Sequence, residues 1–255
     1  MIFYFSATGN SQHVAQRIAA ATSDVATSIV EWERAGNPAV RLAAGERLGF
    51  VTPVYFWGLP TVVRRFVAQL RVEVADDAPP YVFYVSTFGT SSGMVHTMMR
   101  RALAAHGLNL QGRFGVRMVD TWTPFFDLSD KEKCRRQTLA AEPRIDTVVG
   151  LVAQKVCTAW GNRPVPAFLA RLEYSLYPRQ RQTRRFSVTA DCIGCNLCAT
   201  KCPARAIEMK DNRPVWTKPE CICCLGCLHR CPRFAIRYGK HTARHGQFVH
   251  PQAHL

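Results

Sequence analysis

Eight of the eleven cysteines fall into two runs that share one spacing. Cys192, Cys195, Cys198 and Cys202-Pro203 form one C-x2-C-x2-C-x3-C-P; Cys221, Cys224, Cys227 and Cys231-Pro232 form the other. The copies start 29 residues apart and both end Cys-Pro-x-x-Ala-Ile, so a small module is repeated, each half with the same chemistry. Three thiolates at spacing three on a tight loop suit three corners of an iron–sulfur cubane. The fourth, held away by the turn before proline, reaches the other cubane. The spacing therefore predicts two [4Fe-4S] clusters, one on Cys192, Cys195, Cys198 and Cys231, the other on Cys221, Cys224, Cys227 and Cys202. Zinc favours two separated Cys-x2-Cys pairs or Cys/His pairs rather than triplets. Disulfides do not suit such short spacings. Cys223 has no counterpart, since Gly194 stands at its place in the first copy, and reads as a packed side chain. Cys134 and Cys157 lie in helical patterns and read the same way.

A second set of chemistry-bearing residues lies near the start. Ser6-Ala7-Thr8-Gly9-Asn10-Ser11 follows the apolar run MIFYF and precedes the amphipathic QHVAQRIAAAT. A glycine-containing loop opening a helix presents backbone N–H groups to a phosphate, and Ser6, Thr8, Asn10 and Ser11 add side-chain donors. The Walker lysine is missing and no G-x-G-x-x-G occurs, which argues against a nucleoside triphosphate or a dinucleotide. His13 and His96 stand near these loops; lone helical histidines of this kind are usually structural.

The elements that position these residues alternate. RLGFVTPVYF, YVFYVSTF and RFGVRMVD read as buried strands after MIFYF. TVVRRFVAQL and GMVHTMMRRALAAHG, the latter stopped by Gly107, read as helices. A further helix is expected to begin near Glu142-Pro143, carrying a stripe of Ile145, Val148, Val149, Val152 and Val156. Strands alternating with helices imply an α/β fold with a mostly parallel, doubly wound sheet. The expected division is an α/β domain over 1–160 and a helical, basic linker over 161–185. A small α+β cysteine domain over 186–240 and a histidine-bearing tail over 241–255 complete it. The linker arginines Arg179, Arg181, Arg184 and Arg185 read as solvated.

The chain of 255 residues, 47% hydrophobic, can build a real core. MIFYFSATGN has no basic leader or cleavage site, and the longest uncharged stretch, Leu48 to Val63, is broken by Pro53 and Pro60. A cytoplasmic protein without a membrane span is expected, where thiols serve metal or redox chemistry more than disulfides. The net charge is +15 and lies mostly in the second part: 16 Lys and Arg against 13 Asp and Glu up to residue 150, then 17 against 5. Two oxidised cubanes remove about 4 of these units, leaving a basic holoprotein suited to acidic partners. No helix-turn-helix or other DNA-reading motif is present, so nucleic acid is not the expected partner.

The C-terminal repeat resembles a bacterial two-cluster ferredoxin and the N-terminal part a flavodoxin. Together they resemble the flavodoxin–ferredoxin fusion proteins of largely anaerobic bacteria, over nearly the whole chain. The resemblance implies FMN, with its phosphate on Ser6, Thr8, Gly9, Asn10 and Ser11. Two further loops are expected to flank the ring at the carboxyl ends of strands: Pro53-Val54-Tyr55-Phe56-Trp57-Gly58, rich in flat side chains, and Ser86-Thr87-Phe88-Gly89-Thr90-Ser91, offering amides and hydroxyls. One-electron clusters joined to a flavin imply an electron-transfer flavoprotein relaying low-potential electrons between a redox partner, two clusters and FMN, an oxidoreductase-type carrier. The alternatives are an FMN-dependent reductase of a small acceptor such as a quinone, nitro compound or corrinoid, and a redox-sensing binding protein. No catalytic acid–base pair stands out. His241, His245, His250 and His254 are too irregularly spaced to predict a metal site.

Overall fold

The computed structural model describes residues 1–75 and 79–253, so His254 lies outside the described residues. Six parallel strands form the main sheet in the order β2-β1-β4-β6-β7-β8: β1 (Ile2–Tyr4), β2 (Ala26–Ser28), β4 (Arg47–Pro53), β6 (Tyr81–Phe88), β7 (Leu110–Arg117) and β8 (Ala159–Trp160). A separate parallel pair joins β3 (Val40–Leu42) to β5 (Val72–Val74). All eight residues of β6 are buried, which is why it reads as a continuous apolar run with no alternation.

Both faces of the sheet are covered. On one, Phe3, Phe50, Tyr84 and Val82 pack with α3 (Thr61–Ala68) and α4 (Val95–Ala104) through Val62, Phe66, Met99 and Leu103. On the other, Ile2, Val51, Phe83 and Val85 meet α1 (Asn10–Thr22) and α5 (Lys131–Ala153) through Val14, Ile18, Ile145, Val148 and Val152. A short α2 (Ile29–Arg34) follows β2. The chain reverses its winding direction between β1 and β4, so the loops at the carboxyl ends of these strands open a crevice there.

Helix α5 starts a dozen residues before the expected Glu142-Pro143. Asp130 caps it by accepting the Lys133 N–H, and Pro143 sits in its interior. The first half buries only Cys134, Thr138 and Ala141, a seam too weakly apolar to register as a stripe in KEKCRRQTLAA. Of the predicted stripe, Val149 is half-buried and Val156 lies beyond the helix end. Cys157 is neither helical nor packed: it is exposed in the stretch that follows α5.

After β8 come α6 (Ala167–Ser175) and α7 (Tyr177–Gln180), then a 3-10 turn at Thr183–Arg185. The connector is anchored rather than wholly solvated. Tyr177 and Thr183 are buried, and Arg181 donates to the Cys221 carbonyl and pairs with Glu220. Arg179, Arg184 and Arg185 remain exposed, as expected of a linker. In the cysteine-rich part, β9 (Phe186–Val188) pairs antiparallel with β12 (Ile236–Tyr238), and β10 (Ile207–Lys210) with β11 (Arg213–Trp216). Short helices α8 (Leu197–Thr200) and α9 (Gly226–His229) follow the two cysteine triplets, giving the repeat its matching halves. The tail forms α10 (Thr242–His245) and then returns to the phosphate loop, where the His250 N–H donates to the Thr8 carbonyl at 2.7 Å.

Candidate functional site

Four loops at the carboxyl ends of the sheet strands enclose a cavity of about 480 Å³. The first runs from β1 to α1. Gly9 takes φ +97° there, its N–H is bonded to Ser6 Oγ, and α1 begins at the next residue. The first-turn N–H groups of α1 have no partners within the helix and point into this loop. Ser11 Oγ meets Thr87 Oγ1 at 2.8 Å and Asn10 Nδ2 donates to the Val119 carbonyl, tying the first loop to the third and fourth. Asn10 Oδ1 is buried with no partner among the described residues, an acceptor left for whatever fills the space.

The second loop is a tight turn in which Tyr55 and Gly58 exchange both backbone bonds. Its central residues, Phe56 and Trp57, take φ +50° and +58°, which costs bulky side chains about 1–2 kcal/mol each. Surrounding contacts hold the turn. The Met94 N–H donates to the Trp57 carbonyl at 2.8 Å, and the Tyr174 hydroxyl donates to the Leu59 carbonyl at 2.7 Å. Phe56 stacks on Tyr177 at 5.3 Å between centroids and meets Trp122 edge-on at 5.1 Å. Tyr55 packs edge-on against Phe5 and Tyr177. Trp57 has no ring partner among the described residues.

Ser6, Thr8, Asn10, Ser11, Pro53, Tyr55, Phe56, Trp57, Thr87, Phe88, Gly89 and Thr90 all line the cavity. Gly9 and Gly58 stand behind it. Gly9 faces His250 and Ala253 of the tail, and Gly58 lies under the Tyr174 ring, with no room for a side chain at either. Sequence reasoning missed the fourth loop, where Val119, Asp120, Thr121, Trp122, Phe125 and Phe126 also line the cavity. The same rule that singled out the other loops applies to VDTWTPFF, which begins at the end of the expected strand RFGVRMVD. Burial raises the Asp120 carboxyl above its ordinary range, opposed by the Trp122 N–H it accepts. His96 lies outside the cavity, bonded to Ser86 Oγ, and burial lowers its pKa to about 3.

The cysteines gather in the two predicted sets. Cys192, Cys195, Cys198 and Cys231 line one small cavity; Cys202, Cys221, Cys224 and Cys227 line another. Cys198, Cys221 and Cys227 pack on the same small core of Cys202, Ala206 and Ile207, so the two sets adjoin. Burial raises the Cys198 thiol to about 11 and the Cys221 thiol to about 12, with neighbouring sulfurs adding to both. Thiols so placed ionise when a cation takes the proton's position. Cys224 lines both its own cavity and the large one, beside Cys223 and Leu225. Cys223 is buried at φ +55°, in the apolar cluster that Tyr55 and Phe56 pack against.

The cysteine-rich part and the tail also brace the loops. His229 Nε2 donates to the Thr121 carbonyl at 2.9 Å, His245 Nδ1 to the Thr123 carbonyl at 2.7 Å, and Arg230 to the Ser6 carbonyl at 3.3 Å. Residues 1–144 match the family model of the flavodoxin domain, and residues 191–236 match that of a 4Fe-4S dicluster domain.

The chain belongs to the flavodoxin family and carries a dicluster ferredoxin domain behind the flavodoxin domain.

Its cofactors are FMN and [4Fe-4S] clusters, and it is an iron–sulfur flavoprotein of electron transfer. No curated protein matches the chain. Among solved structures, the Trp repressor binding protein from Bacillus subtilis is 12% identical, covering 59% of this chain and 96% of its own, at a TM-score of 0.38. The flavodoxin cavity fits FMN in three respects: a helix-opening loop for the phosphate, a buried unpaired acceptor at Asn10, and aromatic walls. The two four-cysteine cavities fit clusters by donor type and number. No helix among the described residues is long and apolar enough to cross a membrane.

Proposed function

We propose that this iron–sulfur flavoprotein relays low-potential electrons between an external redox protein, its clusters and FMN, and that the relay has a fixed order. The cluster on Cys221, Cys224, Cys227 and Cys202 stands next to the flavin, and the one on Cys192, Cys195, Cys198 and Cys231 stands farther out. The observation that carries this reading is Cys224, which belongs at once to the second cysteine set and to the wall of the FMN cavity. Cys195 is exposed, so the outer set is where a protein partner meets the chain. When bound, FMN accepts one or two electrons and the clusters one each.

The chain's own residues position and insulate. The amides and hydroxyls of Ser6, Thr8, Gly9, Asn10 and Ser11 hold the phosphate, and Gly9 supplies the left-handed turn that aims them. Trp57, the aromatic of the second loop with no ring partner among the described residues, covers the flavin ring. Phe56 and Tyr55 form the sleeve between the ring and Cys223–Cys224. The excess of Lys and Arg favours an acidic docking surface on the partner. The units of the relay are the flavodoxin domain over 1–160, the connector over 161–185, the cluster domain over 186–240 and the tail.

Anaerobic reductive titration, following cluster and flavin absorbance together, tests the relay. Both chromophores present and reduced in coupled order support it; clusters without any flavin binding, even with FMN added, defeat it. A second reading, direct reduction of a small acceptor at the flavin, draws on Asp120. Its carboxyl lines the cavity and burial raises its pKa, as suits a proton donor. Turnover of a small acceptor that Asp120→Asn slows at low pH, where the carboxyl holds its proton, and spares at high pH would select it.

A further inference from the structure

Behind the phosphate loop, three side chains from distant parts of the chain converge: His13 of α1, Glu142 of α5 and His250 of the tail. Their ligand atoms all lie within 4.8 Å of one another. His13 and His250 are 4% and 1% exposed, and their rings stack at 4.3 Å between centroids. His13 Nε2 meets Glu142 Oε1 at 2.8 Å, and the other oxygen of Glu142 is held by Arg17, which also reaches Asp146. His250 Nε2 is buried with no hydrogen-bond partner among the described residues. A buried ring nitrogen left unpaired is costly, so this atom stands open to a ligand.

We propose that His13, Glu142 and His250 form a binding site for a divalent transition-metal cation of the zinc type, separate from the iron–sulfur sites. Two imidazoles and a carboxylate are a zinc donor set, with water as the fourth ligand. Tetrahedral zinc spaces its donors roughly 3.3 Å apart, so the three groups must draw together, and the His13–Glu142 hydrogen bond is replaced by the metal. Arg17 stays on the far oxygen of the carboxylate and orients it, as an outer partner does in such sites. Metal on His250 Nε2 puts that ring's proton on Nδ1. The Gln252 N–H, now 3.4 Å from Nδ1, must then turn aside; it lies in an exposed turn near the chain end.

The site joins parts of the chain that no covalent link fixes. His250 also binds the Thr8 carbonyl, and Gly9 lies against His250 and Ala253. The cation therefore staples the tail to the helix that opens on the phosphate loop.

The test uses cluster-loaded protein, so that the eight motif thiols are occupied by iron. It is incubated with zinc chloride, passed through a desalting column, and assayed for zinc and iron by mass spectrometry. The expected result is one zinc per chain in the wild type. His250→Ala and Glu142→Gln should both lose it, with iron content unchanged. Zinc affinity in either should fall by more than the about 10–100-fold that loss of an outer partner costs. Glu142→Gln keeps side-chain size and leaves the tail ring in place, so it reads the site even where His250→Ala disturbs the tail. A wild type that retains no zinc, or variants that retain as much as the wild type, overturn the proposal.

Discussion

Tyr177 is the side chain on which the two halves of the site lean. It is 2% exposed, stacks on Phe56 of the flavin loop, and donates its hydroxyl at 2.6 Å to the carbonyl of Ile222, between Cys221 and Cys223. Tyr55 and Tyr174 pack against it at 6.1 and 5.8 Å between centroids. Removing the ring with Tyr177→Ala leaves a cavity between the flavin loop and the second cysteine loop. Truncation of a fully buried aromatic costs about 3–5 kcal/mol. Tyr177→Phe keeps the ring and orphans the Ile222 carbonyl, for about 1–2 kcal/mol. At about 2–4 °C per kcal/mol for a chain of this size, the alanine variant should melt roughly 10 °C below the wild type and the phenylalanine variant roughly 4 °C below. Circular dichroism melts of the cluster-loaded protein read both. FMN titration by fluorescence quenching should show weakened binding in Tyr177→Ala and near-normal binding in Tyr177→Phe, because Phe56 loses its support only in the former. A Tyr177→Ala protein that melts within about 2 °C of the wild type would refute the reasoning, since the ring would then not join the halves.

Other perturbations follow from single contacts. Trp57→Ala should raise the Kd for FMN by about 10–100-fold, the worth of stacking a flat ring on an aromatic side chain, with cluster iron unchanged. Gly93→Ala should unfold or displace the flavin loop, because its Cβ would lie 2.2 Å from the Trp57 carbonyl at a backbone φ of +53°; loss of FMN binding and a lowered Tm check this. His96 is neutral in the fold because burial lowers its pKa from 6.5 to about 3, so the unfolded chain takes up a proton first as pH falls. Stability from this group is fully present above pH 6.5 and declines toward about 3. Between pH 6.5 and 5 that amounts to about 1–2 kcal/mol, and His96→Gln should flatten the fall in Tm over that window.

Much of this was legible in the residues because the constraints are local. The cysteine spacings name their own partners, since a triplet on a short loop and a fourth thiol before proline admit few arrangements. The buried run YVFYVSTF announces a central parallel strand, and SATGNS announces a helix-opening loop. What stayed hidden depends on contacts between distant segments. The start of α5 escaped because its first half buries Cys134, Thr138 and Ala141, which carry little apolar signal. The fourth loop escaped although VDTWTPFF follows a strand as the others do. The tail could not be read at all: His250 meets His13 and Thr8 only after the whole chain has folded. The proposed order of the cofactors likewise rests on how the two domains dock, since it is drawn from Cys224 in the wall of the large cavity.

That order is tested most directly by anaerobic stopped-flow reduction of the wild type and Cys202→Ala with a ferredoxin-type protein donor, following cluster and flavin absorbance separately. On the proposed assignment, Cys202→Ala loses the cluster next to the flavin and should retain half the iron of the wild type. The account predicts that its remaining cluster bleaches normally while its flavin stays oxidised over the time in which the wild-type flavin is fully reduced. Flavin reduction in Cys202→Ala at the wild-type rate, with only the outer cluster present, would contradict it.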